Sequence, residues 1–172
     1  MKLHSPMTIN GRAYKAGDSV TPWPIYAFFL VHMGMFGASG FLIAYADDAP
    51  DVSFLYMHGG FACFVYLVFY LAIFGREEVK WMLTNAAIGI FGIWTEIDWL
   101  LSKFGKDAND YAWYVHVIPF LYWVLYTFLV WQLVLDFTKA RGNPERRKLV
   151  KIGYVTIMLA LYTTLWLARP PL

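Results

Sequence analysis

The sequence predicts an all-α integral membrane protein: five transmembrane helices in one bundle, N-terminus cytoplasmic and C-terminus outside. Three observations predict it. Of the 172 residues, 59% are hydrophobic and only 15% charged, so a water-soluble fold would lack the polar surface to cover its apolar groups. The apolar residues fall in runs of bilayer length. Lys and Arg concentrate on alternate connections between those runs. A mean hydropathy of +0.48 agrees, and together these features exclude a soluble enzyme and a disordered tail.

Residues 1–23 are too polar to insert and form a short cytoplasmic segment. Within it, Ile9-Asn10-Gly11-Arg12 carries the Asn-Gly pair favoured in two-residue hairpins, between short strands Thr8-Ile9 and Ala13-Tyr14. The transmembrane domain, 24–168, contains four full spans: Pro24 to Ala46, Val52 to Gly75, Trp81 to Ser102 and Tyr111 to Leu135. Each meets the requirement of about 20 apolar residues at ~1.5 Å rise. A fifth, Ile152 to Ala168, is short, but Lys151 snorkels and lets the helix begin near Leu149. Residues 169–172 form an external tail. Ala44-Tyr45-Ala46 imitates a signal-peptidase site, yet the apolar core and leader exceed those of a removed signal, so the first helix is expected to stay.

Eleven basic residues face one side: Lys2, Arg12, Lys15, Arg76, Lys80, Lys139, Arg141, Arg146, Arg147, Lys148 and Lys151. Three, Lys103, Lys106 and Arg169, face the other, with the acidic loop Asp47, Asp48 and Asp51. The positive-inside rule then puts the N-terminus in the cytoplasm and the C-terminus outside, and the expected location is the inner (plasma) membrane, as a multi-pass protein. Trp23, Trp81, Trp99, Trp113 and Trp166 fall near helix ends, where interfacial anchors belong. The basic run from Arg141 to Lys151 is explained by topology and anionic lipid, so no nucleic-acid partner is expected. The partners expected are the lipid bilayer and other membrane protein subunits.

Ionisable groups inside spans cost roughly 2.5 to 3.5 kcal/mol each at the bilayer centre, so each calls for a reason. At ~1.5 Å per residue, His58, Glu96 and His116 lie about 9, 9 and 7 Å below the outer face, on three different helices. Asp98 sits nearer the rim, on roughly the opposite side of its helix from Glu96. Asn85, Gly89, Gly92 and Glu96 form a small, polar stripe, which faces other helices and not lipid. Gly59 and Gly60 beside His58 leave room for a bulky group, and Pro119 frees a carbonyl near His116. His32 lies about 12 Å above the inner face, outside this cluster, and either marks a second site or bonds a neighbouring helix. Gly34, Gly37, Ala38 and Gly40 allow close helix packing.

Several chemistries fit that cluster. His58 and His116 have the character of axial ligands to a b-type haem. With Glu96, and Asp98 in support, they could instead hold a copper, iron or zinc ion. With no cofactor, the three side chains would hydrogen-bond one another in a water-filled vestibule. The single Cys63 excludes an intrachain disulfide, a zinc finger and a CxxC redox motif. No phosphate-binding Gly loop, nucleophile elbow or HExxH motif occurs.

The acidic loop, His58, then Glu96-Ile97-Asp98-Trp99 closing one helix and His116 opening the next, distantly resembles the C subunit of copper membrane monooxygenases over the middle third. The chain lacks the His which that pattern places shortly after its Glu, so the resemblance adds only weight to the copper option. The expected function is a haem- or metal-bearing subunit of a membrane redox complex, with the site near the outer face. A non-catalytic assembly subunit, and a small proton-coupled carrier or lipid-modifying enzyme using Glu96 and His58, stand as alternatives.

Overall fold

The computed structural model describes residues 1–9, 11–46 and 51–168. Asn10 of the expected turn, Asp47 and Asp48 of the acidic loop, and the tail 169–172 with Arg169 lie outside the described residues. Among the described residues six α-helices follow a short hairpin: α1 (Pro22–Ala44), α2 (Val52–Phe74), α3 (Arg76–Val79), α4 (Trp81–Ser102), α5 (Val117–Phe137) and α6 (Pro144–Leu167). Four helices are long and apolar enough to cross a membrane: α1, α2, Trp113–Phe137 (a 3-10 turn running into α5) and α6. These make the chain an all-α, multi-pass membrane protein. The remaining long helix, α4, has 22 residues, but Asn85, Glu96 and Asp98 leave it less apolar than the others.

Helix punctuation follows the sequence. Pro occupies the first turn of α1 and of α6, where its missing N–H costs no hydrogen bond. Asn143 caps α6 by accepting from the Arg146 N–H at 3.0 Å. Asp51 caps α2, accepting from the Phe54 N–H at 2.9 Å. In the N-terminal segment β1 (Met7–Ile9) pairs antiparallel with β2 (Arg12–Tyr14), Ile9 opposite Arg12. The segment docks on the end of α2, where the His4 and Ser5 N–H groups donate to the Ala72 carbonyl at 3.2 and 3.0 Å. They satisfy a helix-end acceptor that would otherwise be left to solvent. The fit requires Gly75: its φ is +83°, and a Cβ there would lie 2.4 Å from the His4 ring.

The central helix is α5, whose buried residues include Ile118, Tyr122, Leu125, Phe128, Leu129 and Trp131. α1 and α2 pack on one side of it, α4 and α6 on the other. Interhelical hydrogen bonds set which ends meet. At one end the Tyr26 hydroxyl donates to Asp136 at 2.5 Å, Arg141 Nε donates to the same carboxylate at 2.6 Å, and Arg147 pairs with Glu78 at 2.8 Å. At the other end Tyr45, past α1, meets His116 before α5, and the Tyr56 hydroxyl donates to the Tyr114 carbonyl at 2.7 Å. The long helices therefore alternate in direction, and all eleven basic residues named above gather at the Asp136 end. Burial opposes the charge on Arg141, but the hydrogen bond and charge of Asp136 outweigh it and hold the guanidinium above its ordinary value.

Outward faces are apolar. On α6 the side chains of Leu149, Ile152, Ile157, Leu159 and Leu161 are exposed, and on α1 those of Phe28, Val31, Met35 and Leu42. Such contiguous exposure suits lipid and not water. Trp23, Trp113 and Trp166 project outward near helix ends, while Trp81 packs against Trp131, centroids 4.9 Å apart, with the Lys151 ammonium 4.5 Å from its ring centre.

Candidate functional site

The structure places the expected site residues in separate surroundings. His58 is exposed, within a π-helical turn, Leu55–Gly59. Its ring stacks on Phe54 at 5.4 Å and lies 5.5 Å from Phe36 of α1. The cause is local. The buried stripe of α2 passes through Leu55, Gly59 and Cys63, and Gly59 is where α2 meets α5, since a Cβ there would sit 2.5 Å from Ile118. His58, next to Gly59, is turned off that stripe. Gly59 thus admits a helix and not a cofactor.

His116 is buried. Its Nδ1 is 2.7 Å from the Tyr45 hydroxyl, and its ring packs edge-to-face with that of Trp94, centroids 4.9 Å apart. It forms the end of the 3-10 turn Trp113–His116, so α5 begins at Val117, later than the expected start at Tyr111. His116 therefore stands at the helix end. His58 lies beside Phe36 and His116 beside Tyr45, nine positions apart on one helical path, or ~13 Å along its axis. Pro119 falls in the first turn of α5, where a proline is tolerated.

Glu96 faces α5, accepting a hydrogen bond from Trp123 Nε1 at 3.0 Å. Trp94, two residues earlier and nearly opposite on α4, is the residue that meets His116. Asp98, half-buried near the end of α4, has interactions of its own. His32 Nδ1 is bonded to the Phe28 carbonyl of its own helix at 2.8 Å, with the Phe28 ring 4.0 Å away. Among the described residues, no three His, Cys, Asp or Glu side chains come together closely enough to hold a metal ion.

What Glu96 does face is a cavity of about 750 Å³ between α1, α4 and α5. On α1 its wall runs from Met33 through Gly34, Gly37 and Ala38 to Phe41, and continues past the helix end to Tyr45 and Ala46. Ile93, Ile97, Leu100 and Phe104 line it from the α4 side, and Pro119, Tyr122, Trp123 and Tyr126 from α5. Gly34 and Gly37 do not serve close packing as expected: a Cβ at either would meet nothing within 4 Å, whereas one at Gly40 would touch Tyr122 at 3.5 Å. They widen the cavity instead. Lys106 lines it too and donates to the Tyr45 carbonyl at 2.5 Å.

The sequence reading missed Tyr45, Lys106 and Trp123, each of which is placed by residues distant along the chain. The signal for Trp123 was its position one turn after Pro119 on the helix expected to pack against the Glu96 stripe. No family model, curated protein or solved structure matches this chain.

Proposed function

We propose that the chain is a five-helix protein of the inner (plasma) membrane that binds a membrane-soluble small molecule in the cavity between α1, α4 and α5, as a small carrier would. The cavity carries this reading. Its volume lies within the roughly 300 to 1,000 Å³ of small-molecule sites, and its walls are apolar with few polar groups, the usual character of such sites. Glu96, the one acidic side chain on those walls among the described residues, supplies orientation. The haem and metal readings draw no support from the positions of His58 and His116.

The alternating helices and the gathering of basic residues at the Asp136 end support five crossings with that end in the cytoplasm. A reporter fused to the C-terminus is then expected to be active only outside the cytoplasm. Cytoplasmic activity would overturn the topology.

The binding reading is tested by filling the cavity. Gly37→Trp is expected to fold, because a side chain at that position starts in open space. It should abolish binding of the neutral apolar dye N-phenyl-1-naphthylamine, read by fluorescence on detergent-purified protein. Unchanged dye binding by a well-folded Gly37→Trp variant would overturn the reading.

A further inference from the structure

We infer that the molecule bound in this cavity is a lipophilic cation, such as a substituted ammonium or phosphonium, held by Glu96 and the surrounding aromatic rings. The inference rests on the cavity being a binding site, and it follows from what Glu96 lacks. A carboxylate offers about four acceptor positions. Glu96 receives one hydrogen bond, from Trp123 Nε1. Apart from Lys106 on the same wall, the described residues that line the cavity are apolar and aromatic and leave the remaining carboxylate positions to the occupant. A charge in an apolar site is tolerated when it is paired.

The kind of cation follows from the walls. Phe41, Phe104, Tyr122, Trp123 and Tyr126 all line the cavity, and ring faces attract soft, weakly hydrated cations such as quaternary ammonium groups. A metal ion would need several hard or borderline ligands, and no three such side chains meet among the described residues. An anion would face Glu96 itself. A neutral lipid would fill the volume but make no use of the carboxylate. A bulky organic cation satisfies both the volume and the charge.

The test compares a cation with a neutral probe on the purified full chain. Tetraphenylphosphonium is expected to bind, and to displace N-phenyl-1-naphthylamine. Glu96→Gln, which keeps the shape and the Trp123 hydrogen bond, should weaken phosphonium binding by about tenfold or more while leaving the neutral dye within about twofold. Glu96→Asp, which keeps the charge, should retain more phosphonium affinity than the Gln variant. Dye binding that is sensitive to Gly37→Trp, with phosphonium binding equal in wild type and Glu96→Gln, would overturn the cation assignment and leave the cavity reading intact. Failure of both probes to bind the wild-type protein would overturn both.

Discussion

Asp136→Ala is expected to destabilise the protein by about 2 to 3 kcal/mol, because it removes the shared acceptor that ties three segments together. The Tyr26 hydroxyl in the first turns of α1 and the Arg141 guanidinium in the α5–α6 connection both donate to this one carboxylate, at 2.5 and 2.6 Å. The side chains of Asp136 and Arg141 are only 15% and 28% exposed, so water would replace the lost partner poorly. Full burial would set the cost at roughly 3 to 5 kcal/mol, and partial exposure brings it down. Arg141 also lies over the Phe74 ring at 6.0 Å, so its displacement would disturb the end of α2. The exposed pair Lys80–Glu77 is the contrast: its side chains are 57% and 81% exposed, and removing it should be nearly silent. Thermal unfolding of the detergent-purified variants reads both changes. An Asp136→Ala protein with a wild-type midpoint would show that the cluster does not hold the helix ends together.

The fold was largely legible because membrane spans announce themselves by length and apolarity, properties of contiguous residues. The orientation of α4 was legible for a related reason. Asn85, Gly89, Gly92 and Glu96 are the few small or polar positions on a large apolar helix, and lipid leaves no benign place for them. The structure turns all four toward α5 and α6: Asn85 donates to Thr127 at 3.3 Å, Gly89 meets Trp123, Gly92 meets Tyr162, and Glu96 accepts from Trp123.

The site was harder to read. Depth along a helix comes from counting, but it needs the correct helix start and says little about facing. His116 moved to the helix end because a 3-10 turn precedes α5. His58 turned away because the α2 contact stripe runs through its neighbour Gly59. The Tyr26, Asp136 and Arg141 cluster joins residues 110 and 115 positions apart, and no local pattern marks it. Gly34 and Gly37 resemble any packing glycine in sequence. Only the path of α4 distinguishes a filled groove from an open one.

Gly92→Leu is expected to be the most damaging change within the bundle. A Cβ at Gly92 would lie 2.2 Å from Tyr162 Cε2, with two more ring atoms at 2.4 Å, and one at Gly89 would lie 2.2 Å from Trp123 Cζ3. Neither ring has an easy retreat. Tyr162 is buried, at 6% exposure, and packs against Trp123 with centroids 6.0 Å apart. Trp123 is in turn held by its hydrogen bond to Glu96. Relief therefore has to come from separating α4 from α6, or from breaking the Trp123–Glu96 contact. Overpacking of this kind costs roughly 1 to 3 kcal/mol, and Leu adds three further carbons beyond the clashing Cβ, so the upper part of that range applies. The expected readings are a large drop in thermal midpoint and a shift in tryptophan emission as the Trp123 environment changes. Gly34→Leu provides the control, since a Cβ there meets nothing within 4 Å, and it should unfold close to wild type. If Gly92→Leu unfolded no earlier than Gly34→Leu, α6 could not be seated on α4 through the Gly92–Tyr162 contact.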